Sequence, residues 1–125
     1  MLAPKIYVKD KNKVYDTQVI DYKNKIVIFF DNETQCTYTR LFDEVEFMEN
    51  TGYKDMKGND IYTGDILEYQ NTDEHYLRRY VVEKDEKVEF YYLTNKGHFV
   101  SRLMNMHDCF VIGNIYEDKE LLERC

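Results

Sequence analysis

A chain of 125 residues, 43% hydrophobic and 33% charged, can bury a core as one domain without disulfide or metal staples. Its formal charge of −7 is spread as −2 over residues 1–50 and −5 over residues 51–125, so neither half is basic and a phosphate-tracking surface would have to be a local patch against an unfavourable field. The longest apolar run, Ile26–Phe30, is far too short to span a bilayer as a helix, and a single proline with no low-complexity run argues against a linker.

Twelve Tyr and seven Phe with no Trp favour strands, where flat rings lie well on a pleated surface. In chain order, "KIYV" is followed by the polar "KDKNK", then "VYDTQVIDY", the break "KNK" and "IVIFF". The break "DNET" precedes "QCTYTRLF" and "VEFM", where Val45 and Phe47 alternate with Glu44 and Glu46. Beyond residue 60 come "DILEY", "YLRRYVVE", "VEFYYLT", "FVSRLM" and "CFVIGNIY", with Val88 and Phe90 alternating with Glu89. Short segments between recurrent turn signals predict a mainly β fold. The expected architecture is a small, partly open antiparallel β-barrel of SH3-like appearance over residues 51–125. An N-terminal β-hairpin region over residues 1–50 precedes it within the one domain. The tail "DKELLERC" predicts a short C-terminal helix, with Asp118 as N-cap and Leu121, Leu122 and Cys125 on one face.

"DMKGNDIYTGDILEY" (Asp55–Tyr69) is the densest cluster of acid and glycine. Asp55 through Gly58 fits a type I turn followed by a left-handed residue, which makes a hairpin loop with a bulge. Gly64 marks a bulge or a close backbone approach, and Asp65 can satisfy the amides freed there. A calcium loop would need oxygen ligands at alternate positions, but Lys57 stands at the second of them.

"TGYKDMKGNDIYTGDIL" (Thr51–Leu67) and "VIGNIYEDKELL" (Val111–Leu122) resemble two signatures of the YopX family of phage and prophage proteins. Thr51, Gly52, Lys54, Asp55, Gly58, Ile61, Tyr62, Gly64, Asp65 and Ile66 match the first. Val111, Ile112, Gly113, Asn114, Ile115, Tyr116, Glu117, Glu120, Leu121 and Leu122 match the second. "IYVKD" stands where members often carry F-R-A-W-D, Lys57 replaces an Asn, and Lys119 replaces a Pro. The resemblance implies a phage or prophage origin and a mainly β fold, with no established activity. Its motif residues are expected to shape the fold.

Reactive constellations are scarce. His107 and Cys109 share a strand face at spacing two, the arrangement of a thiol and its base, but no orienting third group accompanies them. A core cysteine beside a strand-end histidine explains the pair more simply. His75 and His98 fall in expected loops without zinc-ligand spacing, and no phosphate-cradling glycine motif occurs. Asp85/Glu86 and Glu117/Asp118 read as solvated turn and cap residues. No catalytic residue, metal or cofactor is therefore expected.

"YLRRY" is the one stretch that interleaves base and aromatic. Arg78 and Arg79 alternate in face, and "EFYYL" is the expected neighbouring strand. Tyr76, Arg78, Arg79, Tyr80, Tyr91 and Tyr92 are thus the candidate binding residues, since Tyr and Arg dominate interface hot spots. The expected function is a non-enzymatic binding module directed at a host protein in the bacterial cytoplasm. Three cysteines without C-x-x-C spacing fit a reducing compartment. The alternatives are a nucleic-acid-binding barrel, disfavoured by net acidity, and a homo-oligomer that sequesters a small nucleotide. No membrane association is expected.

Overall fold

The computed structural model describes residues 3–69, 78–87, 90–105 and 108–123, and the chain divides into two compact units, 1–49 and 50–125. Strands dominate both, and every strand pair is antiparallel.

The first unit holds β1 (Lys5–Val8), β2 (Lys13–Asp16), β3 (Val19–Asp21), β4 (Ile26–Asp31), β5 (Cys36–Leu41) and β6 (Val45–Met48). They form two three-stranded sheets, β2-β1-β6 and β3-β4-β5. Period-two alternation buries Ile6 and Val8 of β1 and Val27 and Phe29 of β4, which pack with Val45 into one core. "VYDTQVIDY" proves to be two strands. Between them the Thr17 hydroxyl donates to the Pro4 carbonyl and the Gln18 amide to Ile28, so the chain changes sheet there.

The second unit holds β7 (Asn50–Lys54), β8 (Asp60–Tyr62), β9 (Asp65–Tyr69), β10 (Arg78–Asp85), β11 (Phe90–Asn95), β12 (His98–Arg102) and β13 (Cys109–Asn114). The last five make one sheet in the order β12-β11-β10-β9-β13, and β7-β8 is a separate hairpin. Ile61, Leu67, Tyr80, Val82, Leu93, Leu103 and Cys109 form the core on one side of it. Four strands, β9 to β12, run as a meander and β13 returns to pair with β9; among the described residues β12 and β13 do not pair, so the sheet stays open and no barrel closes. The other lip of β13 is occupied by the β7–β8 loop. The Met56 amide donates to the Cys109 carbonyl at 3.1 Å, and the Val111 amide donates to Asp55 Oδ2 at 3.0 Å.

That loop has the expected geometry. The Gly58 amide donates to the Asp55 carbonyl and the Asp55 amide to the Asn59 carbonyl, with Gly58 at φ +86°, which defines a type I turn and its bulge. Gly64, at φ +89°, is a close backbone approach: its amide donates to Val82 and its carbonyl accepts from Ile115. The Asp65 carboxylate accepts the Tyr62 amide at 2.7 Å.

At the other end, α1 (Glu120–Glu123) is one turn. The Asp118 carboxylate, expected to cap it, instead reaches back to the Asn114 amide at 3.1 Å. It lies so close that a Cβ on Gly113 would stand 2.6 Å from Asp118 Oδ2, which is why glycine occupies that position. Cys125 lies outside the described residues.

Candidate binding surface

The two faces of the five-stranded sheet differ. Register places Tyr80, Val82 and Leu93 on the core face, and Arg79, Val81, Glu83, Tyr92 and Phe90 on the other. This phase decides the fate of the expected binding set. Tyr80 is 4% exposed within the core, and Tyr91 packs against the same core, so neither fronts a shared surface with Tyr92. Arg79 is engaged: its Nε donates to Glu68 at 3.0 Å and its Nη1 to the Leu121 carbonyl at 2.8 Å. A guanidinium committed to the chain's own tail is a structural clamp. Tyr76 and the Arg78 side chain lie outside what is described.

Tyr92 belongs to a different group, one that sequence reasoning missed. Its ring centroid lies 5.7 Å from Phe90 and 5.8 Å from Phe99 on the neighbouring strand, tilted by 53° and 37°. The Arg102 guanidinium sits 4.9 Å above the Phe90 ring, directly across from Tyr92 in the ladder. Phe99 is 60% exposed. From the inner side, Glu83 stands opposite Tyr92 and Asp85 opposite Phe90. Burial, then these two carboxylates, push the Tyr92 hydroxyl above its usual range. The signal in the sequence was the phase of "FYYLT" against "HFVSR". The bulge between Leu93 and Thr94 concealed which residues face one another.

The second unit also has a cleft of about 190 Å³, below the roughly 300–1,000 Å³ of ordinary ligand pockets. Ile61, Leu103 and Cys109 form its buried wall, with Tyr53, Met56 and Met104 exposed at its mouth. Its Asp55 carboxylate is occupied by backbone amides, and its Lys54 ammonium is paired with Asp60 at 2.8 Å. Burial, then the neighbouring Asp108, push the Cys109 thiol up to about 11, so it is protonated and a poor nucleophile at neutral pH. Site-resolved alkylation near about pH 8 should therefore modify exposed Cys36 at least about tenfold faster than Cys109 in the folded protein. Equal rates would contradict this burial. His75 and His107 lie outside the described residues, and His98 is exposed at the start of β12 rather than in a loop.

The family-motif residues shape the two loops. Thr51 Oγ1 donates to the Ile61 carbonyl at 2.8 Å and accepts the Tyr53 amide, while the Gly52 amide is held by Asn50. Asn114 Oδ1 accepts the Tyr116 and Glu117 amides at 3.0 and 2.8 Å, and its Nδ2 donates to Glu117. Ile115 extends the network through its amide to Gly64.

The first unit contains a polar cluster centred on a charged residue at a core position. Asp31 is 2% exposed, at the core phase of β4 beyond Val27 and Phe29. Its Oδ2 accepts from Lys11 Nζ and the Tyr15 hydroxyl, both at 3.1 Å, and its Oδ1 accepts the Glu33 amide at 2.9 Å. Lys11 also lies 4.0 Å above the Tyr38 ring.

Among the described residues, no three His, Cys, Asp or Glu side chains converge as a metal site, and no helix is long and apolar enough to cross a membrane. What the fold defines is a mainly β protein of small antiparallel sheets, with an aromatic strip on one of them. A family model described as YopX protein matches residues 5–123, nearly the whole chain, and the chain belongs to the YopX family. No curated protein matches. The crystal structure of protein EF1440 from Enterococcus faecalis is similar in fold, with a TM-score of 0.63 and 18% identity over 96% of each chain.

Proposed function

We propose that this protein is a non-enzymatic binding module of phage or prophage origin that engages a host protein in the bacterial cytoplasm. The docking surface is the outer face of β11 and β12. The observation that carries this is Phe99, 60% exposed beside a ring ladder on an open sheet. A large side chain kept in water at the end of an aromatic row contributes little to folding, and aromatic residues with Arg supply most interface energy. The engaged state of Arg79 takes one of the two arginines of "YLRRY" out of a phosphate-binding surface. The small cleft, with its lysine paired, gives little room for a nucleotide.

Affinity capture from host lysate should be run with the wild-type chain and with Phe99→Ala in parallel. A partner retained by the first and lost by the second, with unchanged thermal melting, is the expected result. A partner held equally by both would remove this face from consideration.

A further inference from the structure

Resting on that reading, we infer that the face formed by Phe90, Tyr92 and Phe99 recognises a basic segment of a partner polypeptide, seating an arginine or lysine between the rings and the Glu83 carboxylate.

The rings present the right chemistry. The ring pairs are tilted rather than stacked in parallel, and Phe99 is 60% exposed, so a ligand can reach the end of the row at Phe99. An aromatic face attracts a cation placed within about 6 Å of its centroid, and more strongly when water is excluded. The protein already shows the interaction. Arg102, from the neighbouring strand, holds its guanidinium 4.9 Å over Phe90. That cation covers only one end of the ladder, leaving Tyr92 and Phe99 as the second seat.

Charge then selects the partner. Strand register puts Glu83 beside Tyr92 and Asp85 beside Phe90 on the same face. Asp85 Oδ1 accepts the Lys87 backbone amide, whereas Glu83 is half-buried in the middle of the strand. On this face the Arg102 guanidinium over Phe90 is outnumbered by the Glu83 and Asp85 carboxylates, and the molecule carries a net charge of −7, so the balance favours a cationic ligand at Tyr92 over an anionic one. A nucleic-acid strand could stack on the rings, but its phosphates would lie against these carboxylates. A second copy of this acidic chain carries the same penalty. Rings walled by a carboxylate therefore favour a basic peptide over either.

The test uses the full chain and three probes: a lysine- and arginine-containing peptide with one leucine, its glutamate counterpart, and a single-stranded oligothymidylate. Binding is followed by amide shift perturbation and fluorescence anisotropy. The basic peptide is expected to bind saturably, with shifts centred on β11 and β12. Phe99→Ala and Glu83→Gln should each weaken it about tenfold, and Glu83→Lys should abolish it. Glutamine keeps the size of Glu83 and tests charge without a packing change. Preferential binding of the acidic peptide or the oligonucleotide would overturn the inference. So would basic-peptide binding that ignores all three substitutions. If no basic probe binds while a captured host protein still requires Phe99, the assignment to basic partners fails and the docking face stands. If capture is indifferent to Phe99, the docking face fails first.

Discussion

Asp55→Ala is expected to lower folding stability by about 2–4 kcal/mol, far more than an ordinary loop substitution. The carboxylate is 8% exposed and accepts from four donors: the amides of Lys57, Asn59 and Val111 and the Asn59 side chain. Burial alone would raise its pKa, but these donors outweigh it and hold the group below 3.8, so it is ionised when folded at neutral pH. Two of the amides belong to the turn and can find water. Val111 is different, because its amide lies on the lip of β13, where a sixth strand would otherwise be needed. Removing the carboxylate leaves that amide without its acceptor and frees the loop that covers the edge. Asp55→Asn should cost about half as much, since one acceptor oxygen survives while the new amide group faces donors. Equilibrium denaturation gives the stability change, and hydrogen exchange at Val111 locates it. An unchanged midpoint, or a Val111 amide still protected in Asp55→Ala, would refute this role.

The same bond shows where sequence reasoning reached and where it stopped. The turn at Asp55–Gly58 was legible because type I geometry with a left-handed glycine depends on four adjacent residues. The bond to Val111 spans 56 positions and was not legible, since nothing local announces it. Strands were likewise readable as segments, whereas their phase against the core was readable only where alternation was clean. In "IVIFFD" the phase carries Asp31 into line with Val27 and Phe29, a signal contained in the alternation itself, although a charged residue seldom occupies a core position. In "RRYVVE" two adjacent valines blur the period, so Tyr80 could be taken for a surface residue until its pairing with Leu67 placed it inside. The expected barrel failed for a related reason. Five short strands at regular spacing specify a meander, but closure depends on whether the end strands meet. Here a loop carboxylate takes the place of that pairing.

Asp31→Asn should produce a stability loss that depends on pH in a defined way. Burial by itself would raise the Asp31 carboxyl, but the Glu33 amide, the Lys11 ammonium and the Tyr15 hydroxyl bring it below the reference value of 3.8. A group whose folded pKa is depressed contributes stability that is fully present above its unfolded value and is lost as pH falls through the folded one. Lys11 shifts in the opposite sense. Its hydrogen bond to Asp31, set against burial, raises it above 10.5, so its share is present below that value and lost as pH rises through the folded one. The pair thus stabilises the first unit most between about pH 4 and about pH 10, the window bounded by those reference values. Asparagine preserves the side-chain shape but removes the charge and turns a donor towards Lys11 and Tyr15. The variant should be clearly less stable than wild type at neutral pH, and the gap should begin to close below 3.8 and vanish as pH falls through the lower folded value, where wild type also loses its carboxylate. Thermal melts across the acid range measure this directly. A gap that stays constant from neutral pH to strongly acid solution would mean that packing alone, and not the buried ion pair, holds Asp31 in the core.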